Sequence, residues 1–274
     1  MTENSSKPTR AVDPYSPAEI AVLVENIGVR KAKLSFAPAL MLGILAGAFI
    51  AFGAMFYTMT VTGAEWGIGP NRLLGGLVFS LGLVLVIIGG SELFTGNCLI
   101  VMAWADRKVS TGLLLRNWGV VYFGNFIGAV GAAGLVHASG TLGLGEGAVQ
   151  ATAAGIAQGK VSLPFMEAFV RGILCNILVC LAVWLSYASH HVAGKFLVIV
   201  LPVAAFVALG FEHSVANMYF IPVAMFASVE GVTMNGLVAN LIPVTLGNIV
   251  GGGVFVAFVF WVIYLRPVRK KKAG

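Results

Sequence analysis

Long apolar runs separated by short polar connectors dominate the chain. None of Leu34–Ala64, Leu73–Ser91, Asn117–Gly145, Gly172–Gly194 or Gly231–Leu265 contains an Asp, Glu, Lys or Arg. A helix needs about 20 such residues to cross a hydrocarbon core of about 30 Å. Membrane barrels instead alternate apolar and polar residues over segments of about 10. The pattern therefore predicts an all-α integral membrane protein with six transmembrane helices, near 37–61, 72–105, 111–136, 163–188, 195–227 and 235–265. The second and fifth are too long for one straight crossing, and each carries a costly central charge, Glu92 or Glu212. Both are expected to be broken, at Gly89–Gly96 and at Leu209–Ser214, where glycines permit unwinding.

The polar flanks divide the rest. Residues 1–36 read as a cytoplasmic N-terminal segment, 37–265 as the transmembrane transport domain, and 266–274 as a basic cytoplasmic tail. Within the first segment, Ser16, Pro17 and Glu19 form a capping-box start. Ile20, Val24 and Ile27 then make one apolar stripe, which predicts a short helix lying on the membrane surface.

Composition strengthens the membrane assignment. The chain is 58% hydrophobic and 10% charged, against about 25% charged in a soluble domain, so it lacks the charge to cover a water-facing surface. Its 35 glycines suit close helix packing in lipid. No short apolar core precedes a small-residue cleavage site, so the first helix is expected to stay as an anchor. Cys98, Cys175 and Cys180 sit inside apolar runs at spacings that fit no zinc or redox motif, and read as small buried hydrophobes.

The formal charge of +6 is informative through its distribution, and is no argument for nucleic acid. Of 17 Lys and Arg, 14 fall in the N-terminal segment, the 103–116 and 188–196 connectors and the tail. Arg72 and Lys160 lie opposite, and Arg171 sits about two turns inside the fourth helix, where it is expected to snorkel outward. Both termini are thus expected in the cytoplasm.

The two halves repeat. Gly90-x-Glu92-x4-Asn97 matches Gly210-x-Glu212-x4-Asn217, and Asn117-x6-Gly124-Asn125 matches Asn240-x6-Gly247-Asn248. The repeats cover about 37–136 and 163–265. Three spans each is an odd number, so the second half runs inverted, as in many transporters whose sites lie where interrupted helices meet at the midplane. Half-helix N-termini after the breaks would aim positive dipole ends inward, a field suited to an anion.

Glu92 and Glu212 are either proton carriers or buried braces, and Asn217 lies one turn beyond Glu212. His213 has Leu93 as its repeat counterpart, which favours a direct role in permeation over a brace common to both halves. Asn176 and Asn248 either hydrogen-bond neighbouring helices or line a path. Spacing alone gives Phe79, Leu83, Val179 and Phe206 ordinary packing roles. Lys160, in the external 137–162 loop, is either simply solvated or raises the local anion concentration.

The motifs together resemble the formate/nitrite transporter family, most closely its formate channels. They are Gly75-Gly76-Leu77-Val78-Phe79-Ser80-Leu81-Gly82-Leu83, Glu92-Leu93-Phe94-Thr95, Asn117-Trp118 with Tyr122-Phe123-Gly124-Asn125, Asn176 to Trp184, Gly210 to Met218, and Asn240 to Asn248. The resemblance spans about 14–266. It implies an aquaporin-like fold and a homopentamer with one pore per subunit; no cofactor or metal is expected, because no metal cluster or cofactor motif is present in the sequence. It implies Phe79 and Phe206 at an outer constriction, Leu83 and Val179 at an inner one, and Thr95, Asn176, His213 and Asn248 as the polar lining between. Lys160 takes the place of an anion-attracting lysine, and Thr95 lies on a mobile broken segment. Glu92 replaces an Asp of some formate channels, and the 226–235 connection is shorter than in some relatives.

The implied substrate is formate, a small anion that meets a large desolvation cost at an apolar constriction. Neutralisation midway would remove much of that cost. His213, with a reference pKa near 6.5, is the candidate donor. Nitrite or hydrosulfide passage by the same pore is the near alternative. A water or neutral-solute facilitator is the alternative of another class, against which stands the lack of an Asn-Pro-Ala pair at the breaks. An enzyme is not expected, because no nucleophile–base pair, metal cluster or cofactor motif is present. The cytoplasmic (inner) membrane is the expected location.

Overall fold

The structure is a computed structural model that describes residues 15–267. Lys7, Arg10 and the tail residues Arg269, Lys270, Lys271 and Lys272 lie outside the described residues.

Helix α1 (Pro17–Ala32) begins as its sequence dictates. Ser16 accepts the Glu19 N–H, and the Glu19 carboxylate accepts the Ser16 N–H at 2.8 Å. The Ser16 hydroxyl, 2.7 Å from the same carboxylate oxygen, and then the Ser16 N–H hold the Glu19 carboxyl below its usual pKa. The buried stripe is Ile20, Ala21, Val24 and Gly28, with Ile27 half-buried. It rests on the turn at Cys98–Ile100 and on Ala103. A Cβ on Gly28 would stand 3.4 Å from both Ile100 Cα and Ala103 Cβ, so the fit is close but unstrained. At the edge of α1, Glu25 meets Lys108 in an ion pair. Burial raises the Glu25 carboxyl above its usual pKa, and Lys108 only partly opposes this.

Two matched sets of helices follow. The first is α2 (Phe36–Val61), α3 (Ile68–Gly89), α4 (Phe94–Ala105, with a 3-10 turn at Cys98–Ile100) and α5 (Thr111–Ala138). A surface helix, α6 (Ala148–Val161), precedes the second set. That set is α7 (Phe165–Ala188), α8 (Val192–Ala208), α9 (Ser214–Phe226) and α10 (Met234–Leu265). Among the described residues, α2, α3, α5, α7 and α10 are each long and apolar enough to cross a membrane, while α4, α8 and α9 are shorter apolar helices. Exposed Phe52, Phe56, Leu135, Leu197 and Leu201 are what a lipid-facing or subunit-facing belt requires.

Small residues set the closest approaches. A Cβ on Gly124 of α5 would stand 2.8 Å from the Leu40 carbonyl oxygen of α2. Its counterpart in the second half, Gly247 of α10, is packed as tightly on the Phe169 carbonyl oxygen of α7. Helix α10 continues through wide π-type turns at Val250–Phe258 and Trp261–Leu265. Gly252 there faces the centre of the molecule, where an added Cβ would lie 2.6 Å from Cys180 Sγ.

The long second and fifth apolar segments are each interrupted. Helix α3 ends at Gly89 and α4 starts at Phe94, while α8 ends at Ala208 and α9 starts at Ser214. Gly90 has φ +80° and Gly210 φ +71°, left-handed values that side chains resist. Just beyond each glycine, the Ser91 N–H reaches the Val86 oxygen and the Phe211 N–H the Phe206 oxygen, both at 3.0 Å. The breaks are therefore capped turns of the same design.

Candidate functional site

Each break is held by one set of bonds, made twice. In the first half, Lys31 Nζ donates to Glu92 Oε1 at 2.7 Å and to Asn97 Oδ1 at 3.1 Å. Asn97 Nδ2 donates to Glu92 Oε2 and to Asn117 Oδ1, and Asn117 Nδ2 closes the ring on the Lys31 carbonyl. In the second half, Lys160 Nζ donates to both Glu212 oxygens, at 2.9 and 3.1 Å. Asn217 Nδ2 donates to Glu212 Oε2 and Asn240 Oδ1, and Asn240 Nδ2 to the Lys160 carbonyl. The two sets differ in the lysine's second bond: Lys31 donates to Asn97 Oδ1, Lys160 to Glu212 Oε2, so that Asn217 Oδ1 has no partner among the described residues.

The shared bonding widens the repeat, because Lys31 lies on α1 and Lys160 on α6. The surface helices thus belong to the two halves as a matched pair. Lys160 also differs from the solvated lysine of its expected loop: only 15% of its side chain is exposed, and its charge is committed to Glu212. Glu92 and Glu212 make the bonds of braces. Lys31 was missed from sequence because it lies outside the apolar repeat, although its offset from Lys160 equals that of Gly43 from Gly172.

A second matched pair is Asn125 and Asn248. Asn125 accepts the Phe94 N–H and donates to the Gly43 and Glu92 carbonyls. Asn248 accepts the Ser214 N–H and donates to the Gly172 and Glu212 carbonyls. Asn248 spends its amide on backbone and is not among the residues lining the two cavities described below. The first N–H of each half-helix is likewise bonded to an asparagine oxygen.

Two cavities flank this centre. One, of about 270 Å³ beside α1, is lined by Lys31, Leu83, Glu92, Asn97, Tyr187 and Lys195, among others. The other, of about 460 Å³ beside α6, is lined by Phe79, Lys160, Phe206, Glu212, His213 and Phe220, with Arg72 and Arg171 at its rim. Phe79 and Phe206 meet edge to face at 5.7 Å between ring centres. Phe79 also stacks on Phe220 at 6.5 Å, an aromatic that sequence reasoning missed, and Lys160 Nζ lies 5.3 Å above the Phe220 ring.

Between the cavities, Thr95, Asn176 and Val179 are fully buried. Asn176 Nδ2 donates to the Thr95 and Asn248 carbonyls. Thr95 Oγ1 lies 3.0 Å from His213 Nε2, joining the first half to the second. His213 Nδ1 accepts the Ala216 N–H at 3.1 Å and so caps α9. A nitrogen that accepts carries no proton, so the neutral ring holds its proton on Nε2 and donates it to Thr95. Leu93, at the matching position, provides no side-chain cap for α4. The asymmetry noted in sequence thus has a structural component as well as a contact with the other half. Of the expected pore residues, Phe79, Phe206 and His213 share one cavity and Leu83 faces the other. Thr95, Asn176, Val179 and Asn248 form the layer between.

These features define a multi-pass helical membrane protein built around a central polar junction. The formate/nitrite transporter family profile matches residues 18–262. The chain is 42% identical to the formate channel FocA of Escherichia coli (strain K12), over 94% of this chain and 98% of that protein. Among solved structures it is similar to a pentameric formate channel with formate bound, at 43% identity and a TM-score of 0.78, covering 83% of this chain and 96% of that one. An aquaglyceroporin from Plasmodium falciparum shares the fold alone, at 15% identity and a TM-score of 0.55, over 84% of this chain and 97% of that one. The chain belongs to the formate/nitrite transporter family, and its motif-based identification is confirmed.

Proposed function

We propose that the protein carries formate across the cytoplasmic (inner) membrane as a channel, with six crossings, both termini in the cytoplasm, and five copies per assembly. On this topology α3 with α4 and α8 with α9 form the two broken crossings, and the α1 and α6 cavities are the cytoplasmic and external mouths. The observation that carries the reading is the pair of cavities that approach one buried Thr95–His213 bond from opposite sides, each walled by a lysine-balanced glutamate. Phe79 and Phe206 form the outer constriction, Leu83 and Val179 the inner one, and Thr95, Asn176 and His213 the junction that moves when the path opens. Asn248 and Asn217 hold the break that carries His213. The similarity to proteins named as formate channels supports formate as the anion.

Proton coupling through His213 is the finer part of the proposal, and it requires a change of state. To donate, the ring must first be protonated at Nδ1, which means releasing the Ala216 N–H. The proton-passing form is therefore one in which the α9 cap has opened. The test is flux through purified protein in liposomes, with formate, nitrite, hydrosulfide and water compared side by side, and particle mass measured in mild detergent. Formate flux that saturates, with five chains of 28.6 kDa each per particle, is expected. Water permeation without anion flux, or a monomeric mass, would overturn the corresponding part.

A further inference from the structure

The rim of the α6 cavity carries two guanidinium groups that neither the repeat nor the bracing explains. Arg72, at the start of α3, donates through Nη1 to the Ala208 carbonyl at 3.2 Å. Arg171, on α7, donates through Nη1 to the Gly210 carbonyl at 3.3 Å and pairs with Glu167 one turn back. Both carbonyls belong to the break after α8, so two arginines from different helices converge on one turn. Around the point where a Cβ on Gly210 would stand, Arg72 Nη1 is 2.9 Å away and Arg171 Nη1 3.8 Å. Among the described residues the break before α4 has no such pair: Arg171 corresponds to Leu42 there, the carbonyl of each accepting the N–H of the glutamate two residues past the glycine.

Two like charges this close repel each other, and what balances them is incomplete. Glu212, the carboxylate in the cavity wall, is bonded to Lys160 through both oxygens. Glu167 faces Arg171 from the exposed surface of α7, and its side chain is 45% exposed. Among the described residues Arg72 has no carboxylate partner. Each guanidinium has five N–H donors, and one or two are used. Both guanidiniums line the same cavity as Phe79, Phe206 and His213.

We propose that Arg72 and Arg171 form an oxyanion-docking subsite at this mouth. It would capture a small carboxylate by charge-assisted hydrogen bonds before it reaches the phenylalanine constriction. The proposal rests on the transport reading for its place in the path, and on the guanidinium geometry for its chemistry. Planar forks bind carboxylates in pairs of hydrogen bonds. The field of the pair raises the local anion concentration, an effect that salt screens. Lys160 is spent on Glu212, so the recruiting charge at this mouth is that of the arginines. Glu167 is a built-in competitor for Arg171.

The decisive probe is oxalate, a dicarboxylate that can span two guanidiniums. It is titrated into detergent-solubilised protein and followed by the shift in thermal midpoint, a readout that needs no transport. The apparent Kd should rise at least about tenfold in Arg72→Gln and in Arg171→Gln, rise less in Arg171→Lys, and fall in Glu167→Gln. The half-saturating formate concentration for uptake from the outside should rise at least about threefold in the same two Gln variants. That difference should close as salt increases from about 0.02 M to 0.5 M. Oxalate titrations that are identical in wild type and both Gln variants, or absent in wild type, overturn the subsite. Arginine-dependent oxalate binding in a protein that passes no formate upholds the subsite and overturns the transport reading instead.

Discussion

Replacing Lys160 with Gln tests whether this lysine balances a buried charge or merely attracts anions. Its ammonium bonds both oxygens of Glu212, at 2.9 and 3.1 Å, and the two side chains are 15% and 6% exposed. Removing one partner of a buried pair costs about 3–5 kcal/mol, because the other charge is left uncompensated. For a chain of this size that corresponds to a thermal midpoint lower by roughly 6–20 °C. Removing both partners, in Lys160→Gln with Glu212→Gln, should restore most of the loss, since two amides can still hydrogen-bond. Asn217 and Asn240 would keep the ring closed. The assay is thermal unfolding of the two single variants and the double variant in one detergent, treated as a double-mutant cycle. Lys31→Gln with Glu92→Gln should behave alike, because the first half makes the same bonds. A single Lys160 variant within about 1 kcal/mol of wild type, with a double variant no more stable than it, would refute the bracing argument and return Lys160 to a purely attracting role.

Three further outcomes are expected. Phe206→Ala removes the edge-to-face contact with Phe79 and should admit larger monocarboxylates such as lactate; unchanged size selectivity in liposomes counts against the aromatic constriction. His213→Asn keeps a side chain able to cap α9 while removing the ring. It should therefore leave the pore folded with bare anion current, and full proton-coupled formate uptake across about pH 5 to 8 would sink the donor role. The raised pKa of Glu25 means that docked α1 binds this proton more tightly than free α1 does. Docking should be strongest below the ordinary carboxylate pKa and weaken as pH rises from there through the raised one, with no further change above it. Hydrogen exchange of the 17–32 amides, corrected for intrinsic rate, should show that slope in wild type. If Glu25→Gln retains the same slope, another group titrates.

The sequence alone determined the helical membrane class, because a shortage of charge over such lengths has no soluble solution. It also singled out Gly90 and Gly210, just past the ends of α3 and α8, since a glutamate two residues past a glycine in the middle of an apolar run is costly in a lipid-facing helix. The capping box of α1 was legible for a similarly local reason, its donors and acceptors being three residues apart. Pairings across long separations were not legible. Lys31 meets Glu92, and Lys160 meets Glu212, only after the surface helices fold back against the breaks, so a lysine in a polar flank reads as solvated until then. Asn248 illustrates the same limit. A buried amide can face a path or a backbone, and only the position of the freed Ser214 N–H and the Gly172 and Glu212 carbonyls decided for the backbone. Arg171 was placed near the membrane surface by its distance along α7. Which way it turned was set by an unsatisfied carbonyl at Gly210, a group that exists only because the neighbouring helix is broken there.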